Sequence, residues 1–339
     1  MIPDTKAMNK PLVSIICTSY NHENYISQAI EGFLLQKTNF QFEIIVHDDA
    51  STDRTADIIR EYEAKFPKLF SNIYQTENQF SKGNGDVAKI VFSAAKGKYI
   101  ALCEGDDYWT DPYKLQKQVD FLEANPEFGL VHTNYISVKQ INGKILGRRW
   151  EKSFDKEKLH GNILNHLLLQ ESSVWTGTVC FRSKYIKNLP YSPGDFKSGD
   201  FILWSCIAAQ SKIAFLDEVT AIHNLLEHSA IHGITYHQQI EFYESDFRVV
   251  KFIVKHFNLS DEIEQKAKIK YLLRVLGRTF SKKDKKLFYE NYQIYKDINS
   301  NEKPELIFYY YALKYELLYY PIRILLKFQK VFKLNKGIN

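Results

Sequence analysis

Short apolar, β-branched runs alternating with segments of helical spacing constrain most strongly what this chain can fold into. Leu12–Cys17 (LVSIIC) and Glu43–His47 (EIIVH) read as strands, and between them Ile26, Ala29, Ile30, Phe33 and Leu34 recur at helical intervals. The alternation continues with a helix from about Thr55 to Lys65, a short strand near Asn72–Gln75, a helix near Val87–Ala95 and a strand at Tyr99–Cys103. A second half offers strands at Gly129–Val138 and Val174–Arg182, a helix at Gly199–Gln210 and a strand at Lys212–Leu216. This order predicts an α/β fold, a mostly parallel sheet flanked by helices on both faces. From about Gln238 the period is helical, through Phe242–Phe257, Glu262–Phe280, Lys283–Tyr295 and Glu305–Phe332. The spacing therefore predicts an α/β domain over residues 1–235 and a helical region over 236–339.

Composition narrows the class. Hydrophobic residues at 45% and charged residues at 25% suit a globular chain with a sizeable core. Cys17, Cys103, Cys180 and Cys206 lie far apart with no C-x-x-C pair, which predicts buried free thiols rather than disulfides or zinc. The first residues lack the apolar core of a signal peptide, and no run approaches the ~18 apolar residues of a membrane span. A reducing, cytoplasmic setting is the expectation. No G-x-G-x-x-G follows any strand, which excludes a dinucleotide oxidoreductase. The net charge of +5 hides a basic stretch from Lys251 onward. Its cations are embedded in a helical aromatic pattern, which predicts contact with a membrane surface and not with nucleic acid.

Ligands of such sheets bind beyond the C-terminal strand ends. The residues there are Thr18–Tyr20, Asp48–Asp49 and Glu104–Asp107, all polar and two of the groups acidic. Three carboxylates within Glu104-Gly105-Asp106-Asp107 repel one another unless a cation or hydrogen-bond donors neutralise them. Oxygen-only clusters of this kind suit Mg²⁺ or Mn²⁺; the competing reading is a solvated acidic turn ahead of the next helix. Asp48–Asp53 also admits two roles. Ser51, Thr52 and Asp53 cap the following helix, while Asp49 sits where a base or ribose would lie, and a carboxylate can accept the imide N–H of uracil. Together the strand ends describe a site for a nucleoside diphosphate.

Four ordered segments, PLVSIICTSYNHENYISQAI, FEIIVHDDASTDRT, AAKGKYIALCEGDDYWTDPYKLQKQ and SGDFILW, resemble the successive motifs of glycosyltransferase family 2, over roughly Pro11 to Gly233. The resemblance implies a GT-A-type fold with a Rossmann-like nucleotide-binding half, a nucleotide-sugar donor, a divalent metal (Mn²⁺ or Mg²⁺) and inversion at the anomeric carbon. It implies that Thr18, Tyr20 and Asp49 contact the nucleotide, that Asp106 contacts ribose or metal, and that Asp107 is the direct metal ligand. It places the general base in the acidic position before a Trp-bearing helix; since Gly199 stands where many relatives carry Glu, Asp200 is the carboxylate available. Trp175, Thr176 and Thr178 fall near the acceptor. Many relatives carry Tyr-Arg-x-His where this chain has Ile222–His232, so His228 or His232 is the candidate imidazole for metal or diphosphate. Lys82 and Lys89 are the cations available to the diphosphate.

Two rival readings share part of this pattern. A nucleotidyltransferase shares the sheet and the acidic motif but needs a Gly-rich phosphate loop after the first strand, and Cys17–Asn21 has no glycine. A non-catalytic scaffold of the same fold needs no intact Asp49, Asp106, Asp107 and Asp200. The tail from Pro304 carries Phe308, Tyr309, Tyr310, Tyr311, Tyr315, Tyr319 and Tyr320 beside lysines, and Pro321 divides it. Two amphipathic helices lying on the inner leaflet, close to a glycan or lipid-linked acceptor, are the expectation; packing on the catalytic domain is the alternative.

Overall fold

A computed structural model describes residues 10–141, 144–150, 155–187, 189–226, 235–299, 303–315, 319 and 321. The chain divides into two compact units, the first ending at Gly233 and the second beginning at Ile234.

The first unit is built on β1 (Val13–Ser19), α1 (Ile26–Leu34), β2 (Phe42–Asp48), α2 (Thr55–Lys65), β3 (Ile73–Tyr74), α3 (Asp86–Ala94) and β4 (Tyr99–Glu104). It continues with β5 (Tyr108–Trp109), α4 (Lys114–Ala124), β6 (Phe128–Ile141), β7 (Lys144–Trp150), α5 (Leu164–Leu168), β8 (Cys180–Arg182), α6 (Lys184–Lys187), α7 (Gly199–Ala208) and β9 (Lys212–Asn224). The strands form one sheet in the order β3-β2-β1-β4-β8-β6-β9-β5, with β7 paired to β6. β1 pairs in parallel with β2 and β4, and β2 with β3. Through β8 the pairing turns antiparallel on both sides, although β6 and β9 run parallel. The sheet is therefore mixed, with its parallel half holding the first three strand ends.

Alternation along β1 explains the two cores, because successive side chains point to opposite faces. Val13, Ile15 and Cys17 pack with Ala29, Ile30 and Phe33 of α1 and Leu115 and Val119 of α4. Ile16 joins Ile45, Ile100 and Val91 on the other face, with Leu203, Trp204 and Ile207 of α7. All four cysteines are buried free thiols, and burial raises the thiol pKa of each.

The apolar run Val174–Arg182 departs from expectation. Only Cys180–Arg182 pairs as a strand, because Thr176–Thr178 forms a single 3₁₀ turn. The ring of Trp175 lies where a Cβ on Gly177 would sit, 2.5 Å from it, so the turn requires glycine there. Lys114 supports the same turn from beneath. Its ammonium is fully buried, lies 4.1 Å from the centre of the Trp109 ring, and donates to Gln118 Oε1 at 2.8 Å. Burial lowers its pKa to about 8. Gln118 Nε2 donates in turn to Thr178 O at 2.8 Å, and Trp109 Nε1 to Gly177 O at 2.8 Å.

The second unit contains α8 (Tyr236–His256), α9 (Asp261–Lys282), α10 (Lys285–Ile298) and α11 (Pro304–Lys314). Their starts follow local rules. Thr235 and Gln238 form a capping box, Ser260 and Asp284 cap α9 and α10, and Pro304 opens α11. Leu272, Leu276, Phe280, Phe288, Tyr295, Leu306 and Leu313 make its core. α11 is apolar on both sides: Leu306, Ala312 and Leu313 face inward, while Ile307, Phe308, Tyr311 and Tyr315 are exposed. Among the described residues no helix is long and apolar enough to cross a membrane.

His132 on β6 gives the first unit a pH signature. It is buried, and Nε2 donates to Leu159 O at 3.0 Å, since a carbonyl only accepts. Loss of hydration lowers its pKa from 6.5 to about 4. The folded chain thus binds fewer protons than the unfolded one in that interval, so the stability is whole above pH 6.5 and is lost as pH falls toward 4, by ~3 kcal/mol. His132→Gln is expected to remove this component, and urea unfolding at pH 7, 5.5 and 4 measures it. Equal acid sensitivity of wild type and variant would refute the assignment.

Candidate functional site

Three parallel strands end level with one another. Thr18 lies in register with His47 on one side and Glu104 on the other, and Ser19 with Asp48. Beyond this line the backbone cross-links, with Gly105 N donating to Thr18 O and Asp49 N to Ser19 O, both at 2.9 Å. Gly105 is obligatory there: a Cβ would come within 2.9 Å of Ser19 Cβ and 3.0 Å of His22 Nδ1.

The loops after β1 and β2 are stitched together. Asn21 and Ala50 both take positive φ, 55° and 60°. Asn21 Oδ1 accepts from Thr52 N at 2.8 Å, Asn21 N donates to Ser51 Oγ at 2.9 Å, and His22 N donates to Thr55 Oγ1 at 2.8 Å. Asp53 accepts from Glu23 N and from Thr55 N. Ser51, Thr52 and Asp53 thus brace the backbone, and Tyr20 stands half-open at the rim. Asp49 is nearly closed off. Its two oxygens accept from Gln79 N at 2.8 Å and Phe80 N at 2.9 Å, tethering the segment between β3 and α3 to the end of β2. That segment touches another loop through bare backbone. A Cβ on Gly85 would lie 2.1 Å from the carbonyl carbon of Pro193, and one on Gly194 2.3 Å from that of Asn84; both glycines have positive φ. Lys82 and Lys89 are paired with Glu77 and Asp86 of the same segment, at 3.0 and 3.1 Å.

Glu104, Asp106 and Asp107 bring one carboxylate oxygen each to within 4.8 Å of one another. Asp107 is fully buried. Its Oδ1 accepts from Asn224 N at 2.8 Å, and Oδ2 has no hydrogen-bond partner among the described residues. Loss of hydration, then Asp106 and Glu104, push its pKa well above the usual carboxylate range. Glu104 retains solvent access but is walled in by neighbouring atoms; reduced hydration, then Asp106, then Asp200, raise it to about 7. Asp200 stands in the first turn of α7, exposed.

Trp175 is half-buried and stacks on Tyr135, ring centres 4.2 Å apart, with His223 5.0 Å away. Thr176 is half-buried. Thr178 corrects the sequence reading. It is fully buried, its hydroxyl donates to Trp175 O at 2.8 Å, and it supports the turn rather than meeting an acceptor. His228 and His232 lie outside the described residues. Sequence reasoning missed Asn224, whose amide also donates to Asp106 O at 2.5 Å. The available signal was a polar residue inside the altered Tyr-Arg-x-His stretch, Ile222–His232.

Residues 14–185 match the family model for glycosyl transferase family 2. An uncharacterized protein of Mycobacterium tuberculosis is 35% identical over 69% of this chain, and the aligned stretch spans 64% of that relative's length. An uncharacterized glycosyltransferase of Nostoc sp. is 26% identical over 66% of each chain. A UDP-Glc:α-D-GlcNAc-diphosphoundecaprenol β-1,3-glucosyltransferase of Escherichia coli is 37% identical over 38% of this chain and 48% of its own. The crystal structure of S. aureus TarS 1–349 in complex with UDP superposes with a TM-score of 0.57 at 21% identity, covering 79% of this chain and 72% of that one; at that identity the likeness concerns the fold, which is of GT-A type. The chain belongs to glycosyl transferase family 2.

Proposed function

We propose that this chain is an inverting glycosyltransferase that moves a sugar from a UDP-sugar to the hydroxyl of a glycan or lipid-linked acceptor in surface-polysaccharide assembly. One observation carries the reading: the level ends of β1, β2 and β4 gather Thr18, Asp49 and the acidic turn at one edge of the sheet. The named activity of the E. coli relative supports the donor and the lipid-linked acceptor, and the UDP complex of TarS supports the nucleotide.

In this proposal Asp49 accepts the imide N–H of uracil, its oxygens retaining free lone pairs beyond the two backbone donors. Opening the Gln79–Phe80 tether would admit the base. Thr18 and Tyr20 line the nucleotide, and Asp106 contacts ribose. An all-oxygen donor set with an unpartnered buried Oδ2 on Asp107 fits Mg²⁺ or Mn²⁺. Asp107 and Asp106 would hold the ion, which when bound neutralises charge on the leaving diphosphate. Asp200 takes the proton of the acceptor hydroxyl as general base. A single base with no covalent intermediate inverts the anomeric carbon. The Trp175 ring offers an apolar face to an acceptor sugar, and Thr176 borders it.

Asp200→Asn is expected to abolish transfer while leaving UDP affinity within a few-fold of wild type, because the base acts on the acceptor. Turnover assays with a hydroxyl acceptor, paired with UDP calorimetry, read both. Near-normal turnover would remove Asp200 from the mechanism.

Asp107→Ala is expected to weaken metal-dependent UDP binding, and Asp49→Ala to weaken uridine binding with or without metal. Calorimetry with UDP and uridine, each with and without EDTA, separates the two. Identical losses under all four conditions would contradict the division of roles.

The second unit supports peripheral attachment to a membrane. Ile307, Phe308, Tyr311 and Tyr315 cover one exposed side of α11, next to Lys314. Aromatic residues settle among lipid headgroups, and each nearby lysine adds ~1 kcal/mol on an anionic surface. The basic residues after Tyr320 belong to the same proposal but lie outside the described residues. Combined Phe308→Ser, Tyr311→Ser and Tyr315→Ser is expected to reduce flotation with anionic liposomes at least severalfold, and wild-type binding to fall as salt rises. Equal flotation of both proteins would refute membrane docking by this face.

A further inference from the structure

β9 ends at Asn224, and its pairing explains why that residue meets the acidic turn. Tyr108 and Trp109 of β5, immediately after the turn, pair antiparallel with Ile222 and Ala221. The register carries Asn224 alongside Asp106 and Asp107. There it uses both of its donors: the backbone N–H goes to Asp107 Oδ1 and the side-chain amide N–H to Asp106 O. A peptide carbonyl only accepts, so the amide nitrogen must face Asp106 and the orientation of the side chain is fixed. Asn224 Oδ1 is thereby turned away from that bond.

Two acceptors remain. Asn224 Oδ1 and Asp107 Oδ2 are both buried, on residues 2% and 1% exposed, and neither has a hydrogen-bond partner among the described residues. Leaving a buried acceptor unsatisfied is destabilising, because its lost hydration is not replaced. Glu104 and Asp106 bring further carboxylate oxygens to within 4.8 Å of one on Asp107, while Ser19 Oγ and His22 Nδ1, buried and likewise unpartnered among the described residues, lie against Gly105 of the turn. A species that satisfies clustered carboxylate oxygens without contributing another is a hard cation. Asn224 suits that task because it supplies an oxygen with no further negative charge beside three carboxylates.

We propose that Asn224 is a metal ligand through Oδ1, binding the same divalent cation as Asp107 and taking a position that the sequence assigns to His228 or His232. The inference rests on the metal-dependent reading of the site. It does not depend on which sugar or acceptor is used.

The test is Mn²⁺ binding to the full chain without nucleotide, followed by electron paramagnetic resonance. Asn224→Ala is expected to weaken Mn²⁺ by about tenfold or more. Asn224→Asp keeps an oxygen while losing the amide donor to Asp106, and is expected to retain Mn²⁺ affinity. Asn224→Cys is expected to lose Mn²⁺ and gain Cd²⁺, with an ultraviolet thiolate-to-Cd²⁺ band absent from wild type. Three results would overturn the proposal: unchanged Mn²⁺ affinity in Asn224→Ala, equal losses in the Ala and Asp variants, or a folded Asn224→Cys protein without the Cd²⁺ band. The second is the signature of a residue that only braces the turn. Wild type that binds no Mn²⁺ would sink the metal reading as a whole, whereas normal wild-type binding with insensitive Asn224 variants would sink this inference alone.

Discussion

The site depends on β1 having a parallel partner on each side in matched register. Thr18 level with His47 and Glu104 means that three loops leave the sheet from one line. A shift of one residue in either pairing would reverse the faces of the displaced strand, burying what now points outward. The register is secured by the two cores, since Ile15 and Cys17 on one face and Ile16 on the other are all buried. Hydrophobic alternation thus fixes where the polar chemistry can be.

The acidic turn is the most costly product of that arrangement. Asp107 is held without hydration beside two further carboxylates, and the backbone N–H of Asn224 supplies its compensating hydrogen bond. Two remote strands share the work of holding it, β4 from the parallel half and β9 from the other. The Trp175–Thr178 turn is supported in a comparable way. Gln118 and Trp109 donate to its backbone from α4 and β5, and Lys114 holds both of them, bonding the amide of one and lying over the ring of the other.

Much of this was legible in the sequence because it is local. The strands LVSIIC and EIIVH, the helix between them and the polar residues after each strand follow from periodicity alone, and the four motifs gave the family. Val174–Arg182 misleads for a physical reason: its apolar residues are buried, yet Gly177 allows a turn that packs Trp175 over its own backbone, and burial is not pairing. Sequence position puts Thr178 near the acceptor and does not reveal that its hydroxyl is committed to Trp175 O. The sequence offers Asn224 only as a polar residue in the Ile222–His232 stretch; its place beside the acidic turn comes from a pairing between β5 and β9 that no local pattern encodes. The closure of Asp49 by Gln79 and Phe80 is likewise a contact between segments distant in sequence.

The contact between Gly85 and Gly194 has a consequence for how such a protein changes over generations. Two loops meet there by main chain alone, each at a residue that has no side chain to trim or enlarge. Neither loop can accommodate a substitution in the other by adjusting a rotamer; only a movement of backbone answers it. The segment following β3 and the segment leading into α7 therefore form one heritable unit. Transplanting the first from a relative requires the backbone around Pro193 and Gly194 to travel with it.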